Sequence, residues 1–402
     1  MPAATPGVAP RDRPARFRGT SPLYDPFIRG LVAQALVAVA LILLIGWFAT
    51  NMIENLRRAN IASGYGFLWS RAGFEISQTL IPYTPNDTYA RAFLVGVLNT
   101  LVVAAVGIVL ATLLGFVAGI ARLSKNPVIS GIATVFIETL RNIPVLLQLL
   151  FWYRAVLAVM PGPREALDLP LGSYLSNRGL LLPRFVAGEG FVFTLIAVAV
   201  AILSVVLLAM WARRRRMATG QPFPTVIVAL AILVVLPVLV FLATGMPLTV
   251  NYPVLQGFNF VGGFQIMPEF LALVLGLTLY TATFIAEIVR AGILAVPRGQ
   301  TEAASALGLR HGATLRNVVI PQAMRVIIPP LTNQYLNLTK NSSLAVAVGY
   351  PDLVSVFAGT ALSQTGQAVE AISLMMAVYL LISILTSLFM NWFNRRVALV
   401  ER

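Results

Sequence analysis

Charged side chains that interrupt the apolar runs of this 402-residue chain are the first candidates for chemistry. Glu138 and Arg141 lie three residues apart, so they can pair on one face of a helix. Lys340 lies between Asn337 and Asn341 in another apolar region. A charge inside a membrane helix costs about 2.5 to 3.5 kcal/mol on insertion scales, so it faces water or finds a protein partner. For both groups, a role in a substrate pathway and a role in helix packing stay open.

Residues 297–321 form a polar island between two long apolar runs. An Ala-rich stretch from Thr301 to Leu307 predicts one short helix, with Thr301 as its cap. Gly308 separates it from a second helical pattern, which we expect to run from about Ala313 to the interruption at Pro321. We interpret the island as a docking loop. Its charged and ionisable residues are Arg298, Glu302, Arg310, His311 and Arg316.

The sequence contains no pattern typical of an enzyme. It has no cysteine and one histidine, which excludes disulfides, thiolate chemistry, Cys-ligated metals and His clusters. Its two lysines, Lys125 and Lys340, do not follow a glycine, so the phosphate-binding loop of many ATPases is absent. We therefore expect no catalytic residue, no metal site and no cofactor, and we interpret His311 as a solvated loop residue.

Composition places the chain in a membrane. Hydrophobic residues make up 58% and charged residues 11%, with a mean hydropathy of +0.83. A helix of about 20 apolar residues crosses a bilayer core. This predicts an all-α membrane protein with about eight transmembrane helices, at 30–50, 92–120, 131–158, 191–211, 223–244, 268–291, 327–348 and 369–393. The first of them lacks a signal-peptide cleavage motif, so we expect it to be retained.

The net charge of +14 follows a membrane topology rather than a nucleic-acid site. Nineteen of the 29 basic residues fall on one side of the predicted spans and eight on the other, with Arg141 and Lys340 inside helices. The richer side is expected to be cytoplasmic, which places both termini and the 297–321 loop there. Residues 1–29, rich in proline and arginine, are expected to form a disordered cytoplasmic tail.

Two predicted helices carry patterned faces. The second has a stripe of small residues that allows close helix packing, formed by Gly96, Thr100, Ala104, Gly107, Ala111, Gly115 and Gly119. Within it, Asn99 and Thr100 are weaker candidates for substrate contact. The helix at 327–348 has a polar stripe opposite an apolar one. Lys340 is expected about 13 residues into that helix, roughly 20 Å from its start.

The 297–321 loop resembles the EAA loop of ABC importer permeases. Glu302, Ala303, Ala304, Gly308 and Pro321 stand at the spacing of that motif. The flanking stretches YTATFIAEIVRAGILAVPRGQTEAASALG, VVIPQAMRVIIPPLTNQYLNLTKNSSLA and ETLRNIPVLLQLLFWY resemble the polar amino-acid branch. The likeness covers roughly residues 91–393. An extra helix at 30–50 and an insert at 159–267 with two further helices resemble a longer permease of the general L-amino-acid transporters.

The resemblance implies a permease subunit of an ATP-driven amino-acid importer, with a type I permease core, in a bacterial inner membrane. Its partners would be ATPase subunits docked at the EAA loop, a second permease that is typically a different chain, and a periplasmic amino-acid-binding protein. The alternative is a self-sufficient secondary transporter or channel that uses Lys340, Glu138 and Arg141 as a charge relay. A membrane enzyme is a third, weaker interpretation.

Overall fold

The computed structural model describes residues 26–58 and 63–397. Helix α1, Pro26–Arg58, belongs to the smaller of two compact units. Its stretch Ile28–Asn55 is long and apolar enough to cross a membrane. The predicted tail at 1–29 lies outside the described residues up to position 25, and the helix begins earlier and ends later than the predicted span at 30–50.

The larger unit begins with a 3₁₀ turn, Tyr65–Trp69, and the long helix α2, Tyr89–Arg122. Helix α3 follows at Pro127–Asn142, and helix α4 at Val145–Leu150 continues as a π-helix over Phe151–Leu157. Residues 131–158, predicted as one helix, are therefore two segments that meet at a bend of 105°.

The insert forms a helical hairpin with a small β-structure at its open end. Its helices are α5, Phe191–Thr219, and α6, Thr225–Ala243. Four strands precede the hairpin and four follow it: β1 Leu167–Leu169, β2 Ser173–Ser176, β3 Gly179–Leu182, β4 Arg184–Ala187, β5 Leu248–Asn251, β6 Val254–Gln256, β7 Asn259–Val261 and β8 Phe264–Ile266. Of these strands, β3 and β4 pair across the hairpin with β8 and β5.

Strand pairing holds the two ends of the insert together. The order β1-β2-β3-β8 is antiparallel throughout, and β4 pairs with β5 and β6 with β7. The Asn177 amide donates to the Pro161 carbonyl at 2.9 Å, where the insert begins. A Cβ at Gly179 would lie 3.0 Å from the nitrogen of Pro268, where the insert ends. The chain therefore enters and leaves the insert at neighbouring points.

The C-terminal half contains the long helix α7, Pro268–Leu294, and the short helices α8, Arg298–Ala306, and α9, His311–Thr314. A π-helical turn, Leu315–Val319, leads into α10, Ile320–Asn341. A 3₁₀ segment at Ser342–Ala347, a π-helix at Ser355–Ala361, α11 at Leu362–Thr365 and α12 at Ala368–Val397 complete the described chain.

Six helices in the described residues are long and apolar enough to cross a membrane, and the bent pair α3–α4 makes a seventh candidate. The six are α1, α2, α5, α6, α7 and α12. The predicted span at 327–348 corresponds to α10 and the 3₁₀ segment after it, and its polar side chains keep α10 out of this group. Apart from the short strands of the insert, the described chain has the helical membrane fold that the sequence predicts.

The small-residue stripe of α2 is a packing face, as expected. A Cβ at Gly115 would lie 2.6 Å from Ile285, and one at Gly119 would lie 2.6 Å from the Ala286 carbonyl oxygen, both on α7. An added Cβ would clash at both positions, so the two helices can approach this closely only because glycine has no side chain. Helices α2 and α7 therefore form the centre of the core, with α10 packed against both.

Candidate functional site

The polar island is a helical loop that ends its first helix with a glycine turn. Gly308 has φ of +73°, and its amide donates to Ser305 while the Leu309 amide donates to Ala304. These two bonds form a Schellman motif, which closes the end of a helix around a left-handed residue. Gly308 thus divides the loop as predicted. Thr301 does not cap α8, because its hydroxyl donates to the Arg298 carbonyl inside the helix at 2.7 Å.

Helix α8 presents most of its surface outward. Glu302 and Ala303 are exposed, and only Ala304 is buried, on the side that packs against the Leu315–Val319 turn. Leu307 is 81% exposed and Leu309 is 40% exposed. Leu307 and Leu309 lie in a polar loop outside the apolar helices, so contact with lipid does not explain their exposure. Their exposure beside Glu302 is typical of a protein-binding surface.

The second half of the loop is continuous with α10. Pro321 does not interrupt the helix, since it lies in the first turn of α10, directly after the π-helical turn. Pro329 and Pro330 also lie within α10. A π-helical turn is one way in which a helix accommodates an altered hydrogen-bond pattern. Residues 311–341 therefore form one nearly continuous helix.

The two stems of the loop are packed tightly together. A Cβ at Gly292, near the end of α7, would lie 2.3 Å from the Ile327 side chain and 3.3 Å from the Ala323 carbonyl, both on α10. The Gln322 amide also donates to Gln300 at 3.3 Å, which links the start of α10 to α8. Helices α7 and α10 are therefore held against each other at the two ends of the loop.

A cluster of four charges joins three helices next to this loop. Arg122 at the end of α2 binds Glu287 of α7 and also Glu138 of α3, the latter at 2.9 Å. Glu287 in turn accepts from Arg290, three residues further along α7, at 3.1 Å. The Arg122 and Glu287 side chains are only 19% and 20% exposed, whereas Glu138 is 49% exposed. The Arg122–Glu287 contact is therefore the least screened of these ion pairs.

The predicted pairing of Glu138 with Arg141 is wrong. Glu138 bonds Arg122, and the Arg141 guanidinium lies over the Phe284 ring at 5.4 Å. The reason is tertiary: the end of α2 brings a second arginine to Glu138, while α7 offers Arg141 an aromatic face. Lys340 forms no side-chain hydrogen bond or ion pair with any described residue. The three charges of the supposed relay are thus not brought together.

Helix α10 has the two faces that its pattern predicts. Leu331, Tyr335 and Leu338 face inward, where the Tyr335 hydroxyl lies 3.0 Å from that of Thr112 on α2. The opposite stripe, Asn333, Asn337 and Lys340, is exposed, and Asn341 is half-buried. Since α10 begins at Ile320, Lys340 lies in its last turn, roughly 30 Å along the helix rather than 20 Å. The polar stripe therefore faces away from this chain's own core.

Sequence comparison decides the family. A profile described as "Binding-protein-dependent transport system inner membrane component" matches residues 206–399. The general L-amino acid transport system permease protein AapQ of Rhizobium johnstonii is 55% identical over 95% of both chains. The chain belongs to the permeases of polar amino-acid ABC importers.

Two further permeases match over almost their whole length. The putative amino-acid ABC transporter permease protein YhdX of Escherichia coli is 50% identical over 97% of this chain and 99% of its own. The glutamate/glutamine/aspartate/asparagine transport system permease protein BztB of Rhodobacter capsulatus is 41% identical over 96% and 98%. Matches of this extent include the extra helix and the insert. The permease is a multi-pass membrane subunit of an ABC importer, and its family is a transport family rather than an enzyme family.

Asn99 and Thr100 of this permease, the weaker candidates for substrate contact, bond to backbone groups in the interior of the chain. Both side chains are completely buried. The Asn99 amide donates to the carbonyls of Gln78 and Pro351, and the Thr100 hydroxyl accepts from the Leu353 amide at 3.1 Å. Their polarity satisfies backbone groups of a non-helical segment that α2 covers. Only the fold brings residues 252 positions apart together, so their sequence pattern did not reveal this.

The same buried segment contains an acid that sequence analysis missed. Asp352 lies between α10 and α12, outside the candidate spans, and is fully buried. Its carboxylate accepts from the Ser355 amide at 2.8 Å and from the Tyr379 hydroxyl at 3.4 Å. Burial raises the pKa of the Asp352 carboxyl to about 7, because desolvation disfavours its charged form. A lone Asp after a Pro gives no such signal in the sequence.

A buried glutamine completes the bend between α3 and α4. Pro144 has no N–H, so the Leu140 carbonyl loses its helical partner, and Ile143 adopts an extended conformation. The Gln148 amide donates to the Leu140 carbonyl at 2.7 Å and to the Ile143 carbonyl at 2.9 Å. Gln148 thus replaces the missing bond and stabilises the break that Pro144 imposes.

Proposed function

We propose that this permease couples an ATPase to amino-acid import through residues 297–321. The observation that carries the proposal is helix α8, which exposes Glu302, Ala303 and the apolar Leu307 and is linked to the start of α10 by the Gln322–Gln300 hydrogen bond. A short helix of this kind can seat in a groove on an ATPase subunit and pass its closure into the membrane as a rigid-body movement. Ala304, Gly308 and Pro321 shape the loop, while Glu302 and Ala303 contact the ATPase.

The assembly contains further subunits. The chain has no phosphate-binding loop, so ATP hydrolysis takes place on separate ATPase subunits. One chain carries one docking loop, so two ATPases require a second permease, which we propose to be a different chain. A periplasmic amino-acid-binding protein delivers the substrate. Both termini and the docking loop lie in the cytoplasm of a bacterium, and the permease lies in its inner membrane.

The polar stripe of α10 forms this subunit's half of the amino-acid pathway. It is exposed on a helix whose other face packs against α2, so it needs water or a partner helix when the assembly forms. Lys340 attracts the carboxylate of the amino acid, and Asn337 and Asn341 supply neutral hydrogen-bonding groups beside it. Glu138 and Arg141 belong to the coupling end of the molecule and not to the pathway.

Replacing Glu302 tests the docking proposal. Glu302→Lys reverses the charge of an exposed α8 side chain that has no packing role, so we expect ATP-driven uptake in vesicles to fall while the permease stays in the membrane. The ATPase subunits should also be lost when the permease is purified. Glu165→Lys, an equal charge change in the exposed 3₁₀ turn of the insert, is the control for ATPase retention. Full ATPase retention and full uptake in Glu302→Lys would refute the docking role.

Replacing Lys340 tests the pathway. Lys340→Met keeps the length of the side chain and removes its charge, so we expect a higher KM for amino-acid uptake with ATPase subunits still bound. Lys125→Met, which removes the chain's other lysine from an exposed loop, should leave the KM unchanged. Unaltered transport kinetics in Lys340→Met would assign Lys340 to contact with the partner permease instead.

A further inference from the structure

The turn between α5 and α6 forms a groove whose lining is basic on one side and aromatic on the other. The groove has a volume of about 250 Å³ and is lined by Arg213, Arg216, Pro222, Phe223 and Thr225, together with two alanines of α5. Arg213 and Arg216 lie three residues apart, so they project from the same face of α5. Nothing in the coupling or pathway proposals uses this site.

The charge in the groove is unbalanced. Arg213–Arg216 are four consecutive arginines, and the sequence has no acidic residue between Glu189 and Glu269. None of the four guanidinium groups forms an ion pair with a described residue. The Arg215 guanidinium lies over the rings of Trp211 and Phe223, at 5.4 and 5.8 Å, so it already has aromatic partners. Arg213 and Arg216, which line the groove, are therefore available to bind an anion.

Helix α6 adds to the positive potential. It begins at Thr225, on the wall of the groove; the Thr225 amide donates to the Phe223 carbonyl, and no side chain caps the amides that follow it in the first turn. The free amides at the start of a helix carry partial positive charge and bind anions. Two guanidinium groups and a helix start thus converge on one small space.

Apolar surface continues from the groove along both helices. On α5, Ile202 and Val206 lie on the same stripe as Arg213 and are exposed, and on α6 Val226 and Ile227 are 72% exposed. Helices α5 and α6 are among the candidate spans, so the turn that joins them lies at a membrane surface. A ligand that is anionic at one end and apolar below it matches this arrangement.

We propose that the α5–α6 groove binds the headgroup phosphate of an anionic phospholipid. Arg213 and Arg216 donate to the phosphate oxygens, as guanidinium groups do in paired, charge-assisted hydrogen bonds. The acyl chains follow the exposed stripes of α5 and α6. Basic grooves between membrane helices bind anionic lipid headgroups by the same chemistry.

Native mass spectrometry of the permease, purified in its transporter assembly, tests the proposal. Phosphatidylglycerol and phosphatidylcholine with identical acyl chains are titrated separately. We expect phosphatidylglycerol to bind more tightly. Arg216→Gln, which removes a charge-assisted contact, should weaken its binding roughly tenfold. Arg214→Gln is the matched control, since it removes an equal charge from the same helical turn but not from the groove lining.

Other outcomes would overturn the site. Equal weakening in Arg216→Gln and Arg214→Gln would mean that the arginines act only as a topology anchor. Equal binding of both lipids would exclude recognition of the anionic headgroup. Displacement of phosphatidylglycerol by millimolar inorganic phosphate would identify a free-anion site. Lipid bound to the isolated permease but excluded from the assembly would show that another subunit covers the groove.

Discussion

Gly119 offers a direct test of the α2–α7 contact from which the docking loop extends. A methyl group there would lie 2.6 Å from the Ala286 carbonyl oxygen, whereas ordinary contacts begin at about 3.4 Å. The obstructing atom belongs to the backbone, so Gly119→Ala forces α7 away from α2. Overpacking of this kind costs about 1 to 3 kcal/mol.

The control is Gly131→Ala in α3, where nothing lies within 4 Å of the added Cβ. Both substitutions gain the same helix propensity, up to about 1 kcal/mol, so their difference isolates the clash. We expect Gly119→Ala to be less stable than Gly131→Ala by about 1 to 3 kcal/mol. Thermal unfolding of the purified permease in detergent, followed by tryptophan fluorescence, measures this. Equal unfolding temperatures for the two variants would refute the close contact.

Two further predictions concern charge. The folded pKa of Asp352, about 7, lies above its ordinary value of 3.8, so the folded state binds more protons between these values and stability should decrease as pH rises through that window. Asp352→Asn should flatten the pH dependence of thermal stability between pH values of about 4 and 7, and an unchanged profile would contradict the raised pKa. Arg122→Gln leaves the poorly exposed Glu287 with Arg290 alone, so it should cost about 1 to 3 kcal/mol, less than a fully buried pair. Glu138→Gln should cost under about 1 kcal/mol because Glu138 is half exposed, and equal losses in thermal unfolding would show that Arg122 and Glu287 are not the dominant pair.

Hydropathy and periodicity predicted the structural features that depend only on residues close together in the sequence. The long apolar helices, the small-residue face of α2 and the two stripes of α10 follow from residue spacing, because one buried face must be apolar or small. The sequence also predicted the end of α8 at Gly308, since glycine is the residue that most readily adopts the left-handed backbone conformation. The exposure of Glu302 in a polar loop followed from the same local pattern.

Features that depend on distant partners were not predictable. Glu138 lies within reach of Arg141 in sequence, but Arg122 reaches it only because α2 and α3 are packed together. The strands of the insert are three or four residues long, and the partners of β3 and β4 lie on the far side of a helical hairpin. The helix through Pro321, Pro329 and Pro330 persists because surrounding structure outweighs the local preference.

The pairing of β3 with β8 bears on how a permease of this length can arise. Since the chain departs near Pro161 and returns near Pro268, the whole insert is attached to the core at one place. A segment whose ends lie close together can be gained or lost without moving the elements on either side. Shorter and longer permeases can therefore have the same helices on either side of this position and differ in the presence of the insert.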